Sequence, residues 1–443
     1  MDKKLLKKFN QTNVNLVVSG YPQEKKGGKN YGIAWYTKQI LEPIAKKYNQ
    51  KFVVLGEKNS DYRGIKSELK AGRRILVLRV FNQKKISLYP EILKILNLFP
   101  LIKNVYVHSE FGMSGNLWHF GLIIPFLTLI RLKGKKVYFF AHNIIDNVNM
   151  LSGHLNLVKN SFKSQFLNLA LRFYYKSLSF LSTKIIVLDQ TLKKRLSSFI
   201  SKRKIITTIL PVSPYDGHLT KEEAKEKLGI DQKEKVLLYF GFLTWYKGVD
   251  WLIETFNQIK QTKVKIRLVL AGGPSYTLAN QPYYQNFYRQ LVTIAKQNPL
   301  ITITGFVADK DLVYYFRASE ALIMPYRGLM GASGVLTQAI NFQLPFFISK
   351  PMGICLDNYW EKLINFNLKK TDLNFDHTTK DLKRILNLIK DEKYLAKVKR
   401  LTQFLQGERD LEKVVQNDYK NFYQIKQNQK CSLWGRKMNW QTA

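Results

Sequence analysis

Cysteine is nearly absent from this chain of 443 residues, which contains only Cys355 and Cys431. The two lie far apart, and neither belongs to a Cys-x-x-Cys pair of the kind that binds zinc. The six histidines are scattered along the chain. The sequence therefore predicts neither a disulfide framework nor a metal site, and a reducing compartment is expected.

Acidic residues are also scarce. The chain contains 32 Asp and Glu but 71 Lys and Arg, which gives a formal net charge of +39. Residues 1–220 hold 37 of the basic and 11 of the acidic side chains, a net +26, which leaves +13 for the rest. A basic surface of this size favours an anionic partner, and the charge alone leaves open nucleic acid, an acidic membrane and a phosphorylated acceptor. Solvated lysines without any partner are the plain alternative.

Long hydrophobic runs are lacking. The longest, LWHFGLIIPFLTLIRL from Leu117, is shorter than the roughly 20 apolar residues of a bilayer-spanning helix. The N-terminal segment MDKKLLKKFN is basic but has no apolar stretch of secretory length, so we expect neither a signal peptide nor a transmembrane helix. This segment forms either one amphipathic turn at a membrane surface or a frayed tail. Trp434 and Trp440, among basic residues near the C-terminus, are candidates for contact with a membrane interface.

The chain does contain a regular alternation of strand-length apolar runs and helical segments. With 443 residues, 45% of them hydrophobic, the chain is large enough for two domains of about 200 residues, each with its own core. The alternation predicts an α/β protein with two Rossmann-like domains. We predict a first domain at residues 1–215, a second at residues 216–410 and a C-terminal segment at residues 411–443. In the first half the predicted strands are NLVVSG, KFVVLG, RRILVLRV, NVYVHSE, KVYFFAHN, KIIVLD and KIITTILP.

Between Lys235 and Ser349 each apolar run ends at glycine or proline and is followed by helical periodicity, as in KVLLYFGFLTWYKGVDWLIETF. This pattern predicts parallel strands with ligand-binding loops at their carboxyl ends. The order of these loops resembles the donor-nucleotide half of retaining glycosyltransferases of family four, which have the GT-B fold. The resemblance covers roughly residues 14–425. It implies an active site between two domains and a last helix that crosses back onto the first.

The first of these loops contains Gly241, Phe242 and Lys247. Glycine allows a tight turn after a strand, and a lysine neutralises charge on a leaving diphosphate. The family pattern has an arginine as well as a lysine here, both contacting the diphosphate. Phe242 takes the place of that arginine, so the resemblance assigns only Gly241 and Lys247 to the donor, and Lys247 also to catalysis. A surface lysine without a ligand is the alternative.

The segment RGLMGASGVLTQAINFQLP resembles the phosphate-binding helix of the family, in which two glutamates stand eight residues apart. Their positions fall on Met330 and Gln338, so both acids are missing. The segment is more similar to a branch with a Ser-Gly-Val phosphate loop. That resemblance implies that backbone N–H groups of Ser333, Gly334 and Val335 bind the diphosphate, and that Gln338 binds the ribose. A small-residue turn that allows close helix packing is the alternative.

The resemblance assigns two further loops to the donor. Gly272 follows the strand KIRLVLA, and Gly305, Phe306 and Val307 follow the strand ITIT. In the family, the backbone of the second loop lies against the nucleobase. Both loops are therefore expected in the nucleotide site.

Asp309 and Asp311 resemble the acidic metal-binding pair of the other major glycosyltransferase fold. Their place just before the helical segment LVYYFRAS predicts instead that Asp309 is an N-cap and Asp311 a first-turn acid. We therefore expect no metal and no cofactor besides the nucleotide-sugar co-substrate.

Four residues of the first half are candidates for the other side of the cleft. Gly32, in the stretch GGKNYGIAWYTKQIL, resembles a family glycine beside donor and acceptor, although dinucleotide enzymes also have glycine loops. His142 follows the strand KVYFF, where many family members have a histidine near the transferred sugar, so the resemblance implies a catalytic role. A structural histidine is the alternative. His108 and Glu110 end another strand and are acceptor-side candidates.

We therefore predict a glycosyltransferase that moves a sugar from a nucleotide diphosphate to a glycan or lipid-linked acceptor, with retention of configuration. The resemblance implies a front-face reaction in which the leaving phosphate helps to deprotonate the acceptor. Cell-surface polysaccharide or glycolipid synthesis in the cytoplasm, peripheral on the inner face of the membrane, is the expected setting. The basic residues Lys3, Lys4, Lys7, Lys8, Lys133, Lys135 and Lys136 are the expected membrane contacts.

Two other functions compete with this prediction. Loss of the arginine and of both glutamates would fit a non-catalytic GT-B-fold partner or sugar-binding protein. A nucleic-acid-binding protein would fit the charge, but no recognition motif is present. No nucleic-acid partner is therefore expected.

Overall fold

In this computed structural model the described residues are 3–23, 32–58, 64–82, 85, 87–110, 117–152, 157–260, 264–276 and 278–425. They contain two sheets of parallel strands, and each sheet has its own buried apolar core. The predicted α/β fold class is confirmed. None of the helices in these ranges is long and apolar enough to cross a membrane.

The first sheet has the strand order β3-β4-β2-β1-β5-β6-β7-β8. Its pairs are parallel except for β3, an antiparallel edge strand beside β4 that the sequence patterns did not predict. Every residue of β1 and β4 is buried, as expected for parallel strands with helices on both faces. The strands are β1 (Val14–Val18), β2 (Lys51–Glu57), β3 (Lys66–Lys70), β4 (Ile75–Phe81), β5 (Asn104–Ser109), β6 (Lys136–Ala141), β7 (Lys184–Val187) and β8 (Ile205–Thr207).

The helices of the first domain, by which we mean the first sheet and the helices around it, connect these strands. The long segment with helical periodicity after β6 is helical from Phe162, and residues 153–156 lie outside the described ranges. The helices are α1 (Lys3–Phe9), α2 (Gly32–Lys47), α3 (Leu88–Leu96), α4 (Leu117–Leu132), α5 (Phe162–Leu181) and α6 (Gln190–Leu196), with short 3-10 turns at Val148–Leu151 and Lys202–Lys204.

The second sheet is parallel, with the strand order β11-β10-β9-β12-β13-β14. Its strands are β9 (Lys235–Phe240), β10 (Ile266–Ala271), β11 (Ile301–Ile303), β12 (Ala321–Met324), β13 (Phe346–Ser349) and β14 (Asn374–Phe375). Its helices are α7 (Lys221–Lys227), α8 (Val249–Gln258), α9 (Pro282–Lys296), α10 (Leu312–Ala318), α11 (Gly334–Asn341), α12 (Lys370–Leu373), α13 (Thr379–Leu388) and α14 (Glu392–Glu408), with 3-10 turns at Trp245–Lys247, Lys350–Leu356 and Glu361–Phe366.

Each sheet reverses its strand order once, between β1 and β5 in the first and between β9 and β12 in the second. In open α/β sheets a ligand crevice forms beyond the carboxyl ends of the strands at this point. The loops that begin at Ser19 and Glu110 therefore border one crevice. The loops that begin at Gly241 and Pro325 border the other.

The chain crosses between the domains at two adjacent places. The backbone N–H of Val212 donates to the carbonyl of Arg409 (2.8 Å), where the first sheet leads into the second. The last helix of the described residues, α15 (Leu411–Asp418), begins beside this contact and packs its Val414 and Val415 into the first core, followed by a π turn at Tyr419–Tyr423. The predicted domain limits at residues 215 and 410 stay a prediction.

Two expectations about the basic N-terminal half were wrong. The segment that was expected to be a frayed tail or a surface turn is helix α1, and its Phe9 is fully buried in the first core. Lys135, expected on a membrane-facing surface, is buried and donates to the carbonyls of Phe99 (2.9 Å) and Ile102 (2.7 Å). Phe9 and Lys135 are both held by contacts with residues distant in sequence, and the local sequence pattern does not indicate such contacts. The C-terminal tryptophans Trp434 and Trp440 lie outside the described ranges.

Candidate active site

The loop after β9 brings two of the predicted donor glycines together. Gly241 has φ +117°, a conformation that side chains rarely adopt, and the place where its Cβ would stand lies 2.6 Å from Nζ of Lys247. A Cβ on Gly272 would overlap the carbonyl oxygen of Gly241. Both positions thus require glycine. Gly272 packs the loop, and Gly241 makes room for the lysine.

Lys247 ends the 3-10 turn that follows, and its side chain is buried. Its Nζ lies 5.2 Å from the ring centroid of Tyr326, and within the described ranges no carboxylate forms an ion pair with it. Burial lowers the pKa of Lys247 to about 8. A buried ammonium beside a glycine loop, without a protein counter-ion, suits an anionic ligand.

Arg327 and Asp250 hold the Lys247 turn in place, and the sequence analysis missed this role. The guanidinium of Arg327 donates to both carboxylate oxygens of Asp250, at 2.7 and 2.9 Å, and lies 4.7 Å from the Trp245 ring. The backbone N–H of Arg327 donates to the carbonyl of Tyr246 (2.7 Å). Such a two-pronged pair gives geometric precision. The residues are far apart in sequence, so no local signal links them.

The N-terminus of α11 lies next to the same loop. Ser333 is its N-cap, with Oγ accepting from the N–H of Leu336 (3.1 Å), and a Cβ on Gly241 would lie 3.8 Å from Cγ2 of Val335. At Gly334 an added Cβ would meet no atom within 4 Å, so there is open space beside this helix start. First-turn N–H groups have no partner inside the helix and can bind phosphate oxygens.

Gln338, predicted at the ribose, lies one turn further along α11. Its Oε1 accepts from Nδ2 of Asn341 (3.0 Å), and Oδ1 of Asn341 accepts from the N–H of Ser213 (3.0 Å). The side-chain oxygen of Gln338 therefore already takes part in the hydrogen bonds that connect α11 to Ser213 in the segment between the two sheets.

Met330, at the place of the first family glutamate, belongs to a contact across the cleft. Its carbonyl accepts from the N–H of Ile144 (2.9 Å), and its side chain packs against the first core. The next residue, Gly331, forms a bridge with Asn143, and a Cβ there would lie 2.6 Å from the carbonyl oxygen of His142. The segment with the candidate catalytic histidine is therefore held against the segment that leads into α11.

His142 and His108 form a buried pair at the carboxyl ends of β6 and β5. Nδ1 of His108 lies 3.0 Å from Nε2 of His142, and the ring of Tyr36 stands edge-on to His142 at 5.5 Å. Burial lowers the pKa of His142 to about 3, and burial together with its neighbour holds the pKa of His108 well below the usual range. Both imidazoles are therefore neutral at physiological pH, and one proton is shared between the two facing nitrogens.

A cavity of about 50 Å³ lies beside this pair in the first-domain crevice. Ser19, His108 and Ser109 supply its polar lining, and the rest is apolar, from Val18, Phe81, Leu88, Tyr89, Ile92, Val107, Ile123 and Phe126. Helices α3 and α4 thus help to close a largely apolar cavity whose polar lining includes His108.

Glu110 and Gly32 complete the first-domain side. Burial raises the pKa of Glu110, and the pKa of Tyr246 in the second domain is raised by burial and, to a smaller extent, by the negative charge of Glu110. Glu110 therefore faces the cleft. Gly32 is the first residue of α2, and a Cβ there would meet no atom within 4 Å. The rest of its glycine loop, residues 24–31, lies outside the described ranges.

The predicted base loop continues into an exposed aromatic row. Gly305 has φ +74°, and Phe306 after it is largely exposed, whereas Val307 packs against the second core. The ring of Tyr276 lies 5.7 Å from that of Phe306 and 5.4 Å from that of Phe242. No local sequence pattern indicates this role of Tyr276. The three rings provide a surface on which a planar base could stack.

The prediction for Asp309 was wrong. The N-cap of α10 is Asp311, without a side-chain hydrogen bond to the helix, and Asp309 precedes it. Helix α10 begins at Leu312, the first residue of the apolar segment, so its N-cap lies two residues later than predicted. In the described part of the chain, no three His, Cys, Asp or Glu residues are grouped so that they could hold a metal ion.

Part of the sequence that forms this site is similar to a known protein family. Residues 220–358 match the family model of glycosyl transferases group 1. That segment contains Lys247, Ser333 and Gln338, and the match supports a glycosyltransferase of this group.

Solved structures match almost the whole chain. Sucrose-phosphate synthase from Thermosynechococcus elongatus superimposes with a TM-score of 0.65 at 15% identity, covering 92% of this chain and 98% of that one. The Anabaena protein HepE, solved with UDP and glucose, gives 0.63 at 15% identity, covering 94% and 100%. The fold is GT-B. The two sheets of this chain match the GT-B fold of these structural neighbours.

Sequence relatives match only a part of this GT-B chain. Alpha-monoglucosyldiacylglycerol synthase of Streptococcus pneumoniae is 24% identical over 126 residues, 28% of this chain and 27% of that protein. The chain spans only about a quarter to a third of the length of the curated relatives that it matches.

Proposed function

We propose that the chain is a retaining glycosyltransferase that transfers a sugar from a nucleotide-diphosphate donor. The observation that carries the proposal is the bridge between Asn143 and Gly331. It joins the His142 segment of the first domain to the start of α11 in the second, beside Gly241 and Lys247. A sugar with its reacting carbon near His142 would then have its leaving diphosphate near the only buried ammonium of this loop.

Lys247 and the first amides of α11 would stabilise the leaving group. Negative charge grows on the diphosphate as the bond to the sugar breaks, and donors aimed at that charge lower the barrier. Lys247 supplies the cation, while the N–H groups of Gly334 and Val335 supply dipoles at a helix N-terminus. This arrangement fits a phosphate loop of the Ser-Gly-Val type, and we propose that the chain belongs to that branch.

His142 would position the sugar rather than act as an acid or base. Its pKa of about 3 keeps it neutral, so it cannot serve as a proton donor in the charged form. Nε2 of His108 is buried and has no partner among the described residues, and an unpaired acceptor costs less there than an unpaired N–H. The shared proton then sits on Nδ1 of His108, and His142 carries its own proton on Nδ1, ready to donate to a sugar oxygen.

We propose a glycan or lipid-linked acceptor, bound at the cavity beside His108, and a role in cell-surface polysaccharide or glycolipid synthesis. The apolar lining and the similarity to a glucosyldiacylglycerol synthase support this. The enzyme would work in the cytoplasm, peripheral on the inner face of the membrane. Retention by a front-face reaction rests on the family resemblance. Comparison of the anomeric proton couplings of donor and product by NMR tests it directly.

Binding of nucleotides to the full-length protein tests the donor assignment. UDP is the first ligand to try, with GDP and ADP beside it, because a structural neighbour was solved with UDP and glucose. Calorimetry with the parent and with Lys247→Ala should show binding of one diphosphate that the variant weakens, and turnover of the matching nucleotide sugar should release that diphosphate.

The same experiment separates the proposal from its main competitor. Binding without release of diphosphate, in the presence of a panel of acceptors, would favour a non-catalytic GT-B-fold partner, which the replacement of both family glutamates by Met330 and Gln338 would explain. Binding of none of the three diphosphates would count against both.

A further inference from the structure

Helix α5 carries an exposed apolar stripe that the proposed active site does not use. Phe162, Phe166, Leu169, Phe173 and Phe180 follow each other at spacings of four, three, four and seven residues, so they share one face. They are 87%, 60%, 51%, 64% and 85% exposed. Single exposed apolar residues are common, whereas four phenylalanines on one helix face mark an interaction site.

The opposite face of α5 already forms the contact with the first domain. Leu171, Tyr175 and Leu178 are buried there, and the hydroxyl of Tyr175 donates to the carbonyl of Ile145 (3.1 Å). The outer stripe therefore contributes nothing to the packing of this helix. A helix with two apolar faces, only one of which packs on its own domain, is expected to bind another partner through the outer face.

Basic side chains flank the stripe, and the helix itself contains no acid. Helix α5 contains Lys163, Arg172 and Lys176, all exposed, and no Asp or Glu. Over residues 111–188 the only acid is Asp146, which lies 3.7 Å from the guanidinium of Arg195. An aromatic face rimmed by unopposed cations matches a surface that is apolar inside and anionic outside.

Helix α4 packs against α5 and extends the surface toward the acceptor cavity. Leu129 and Leu132 are exposed on its outer side, whereas Ile123 and Phe126 on its inner side line the cavity. The cavity is thus separated from the outer surface by the thickness of one helix.

We propose that the outer faces of α5 and α4 dock on an anionic lipid bilayer, with α5 lying in the plane of the interface. A helix of 20 residues is about 30 Å long, so the whole stripe can insert along its length. A second copy of this chain is disfavoured as the occupant, because a two-fold contact would bring its basic rims together. The inference deepens the proposed function by naming a membrane surface, and it rests on that function only for the lipid-linked acceptor.

Co-sedimentation of the full-length protein with vesicles tests the proposal. The probes are vesicles of phosphatidylcholine alone and of phosphatidylcholine with phosphatidylglycerol, at low and at high salt. We expect binding to the anionic vesicles that salt weakens only in part, because the aromatic stripe is insensitive to screening. The double variant Phe166→Ser, Phe173→Ser should lose about tenfold or more of its vesicle affinity, and so should Arg172→Glu, Lys176→Glu.

Matched controls come from the second domain. Ile364 is 75% exposed there, and Lys399 and Arg400 are exposed on α14. Ile364→Ser removes an exposed apolar side chain, and the pair Lys399→Glu, Arg400→Glu reverses two exposed charges, in both cases away from α5. These variants should bind vesicles as the parent does. The proposal is overturned if the parent does not bind anionic vesicles, or if stripe and control variants lose affinity equally. It is also overturned if the parent sediments as a dimer that the stripe variant dissociates.

Calorimetry with UDP on the same variants keeps the two proposals apart. Unchanged melting and unchanged nucleotide binding in a stripe variant that no longer binds vesicles support the membrane surface. If the parent protein binds vesicles but no nucleotide, the result supports the membrane surface and contradicts the proposed glycosyltransferase function.

Discussion

Nδ1 of His108 lies 3.0 Å from Nε2 of His142, so the two imidazoles share one proton and neither can rotate without breaking the pair. Local periodicity placed each histidine at the end of a strand. Their contact follows from the pairing of β5 with β6, in which His108 stands opposite Phe140. This pair fixes the ring of His142 in the cleft.

His142→Ala should lower turnover far more than affinity for the free nucleotide. The histidine lies in the first domain, whereas Lys247 and α11 belong to the second. Loss of one positioned hydrogen-bond donor should cost roughly 10²-fold in kcat. Calorimetry with UDP and a turnover assay on the same preparation measure the two effects. Nucleotide binding that collapsed together with turnover would identify His142 as a structural residue.

Lys247→Ala should leave a folded but nearly inactive protein. The lysine is the only cation that the loop offers to the diphosphate, because Phe242 stands where the family has an arginine. We expect a loss of about 10² to 10³ in rate. Lys247→Arg should recover only part of it, since the planar guanidinium differs from an ammonium in shape. Transfer at the parent rate by the alanine variant would place the diphosphate elsewhere.

Nucleotide affinity should fall as the pH rises through about 8, the pKa to which burial lowers the Lys247 ammonium. Below that pH the side chain is charged and attracts the diphosphate, and above it the attraction is lost. Binding of UDP measured between pH 7 and 9.5 should show this decline, whereas Lys247→Arg should bind with little dependence on pH. A parent curve as flat as that of the arginine variant contradicts the prediction.

Asp418, at the end of α15, should make the protein less stable as the pH rises. Burial raises the pKa of Asp418 from 3.8 to about 7, while the hydroxyl of Thr208 hydrogen-bonds to its carboxyl. The folded pKa lies above the unfolded one, so this contribution is complete below about pH 4 and lost as the pH rises through about 7. One pKa unit is worth about 1.4 kcal/mol, so the effect is at most on the order of 4 kcal/mol.

Urea unfolding at pH 5 and pH 8 measures the Asp418 effect. Asp418→Asn keeps an acceptor for Thr208 but does not titrate, so its free energy of unfolding should change less between the two pH values. Asp309→Asn, at an exposed position, is the control. Equal pH dependence in parent and Asp418→Asn would show that this carboxyl is already ionised in the folded protein.

Gly331→Ala should separate the two segments that meet in the cleft. Its Cβ would lie 2.6 Å from the carbonyl oxygen of His142, which is closer than real Cβ contacts. We expect a loss of stability of about 1–3 kcal/mol and a marked fall in turnover. Gly407→Ala is the matched control, because a Cβ there meets no atom within 4 Å on helix α14, and alanine should stabilise by about 0.5–1 kcal/mol. Equal effects of the two changes would show that the bridge does not constrain the site.

The parts of the site that lie next to each other in sequence were predictable. Gly241 and Lys247 share one loop, and Ser333 stands at one helix start, so the resemblance of short local motifs was enough to single them out. Met330 was not predictable, because its partner Ile144 is contributed by the other domain. The link between Arg327 and Asp250 was missed for the same reason, as was the burial of Lys135. Each depends on a contact across a long stretch of chain, which no local period records.

The two crossings at Val212 and Arg409 lie side by side, and this has a mechanical consequence. Two bodies joined by two neighbouring segments of chain can turn about the line through those segments. Rotation about this line would open the cleft, and it would have to break the hydrogen bond between Ile144 and Met330. The aromatic row and the Lys247 turn both belong to the second domain, so they would move together in such a rotation.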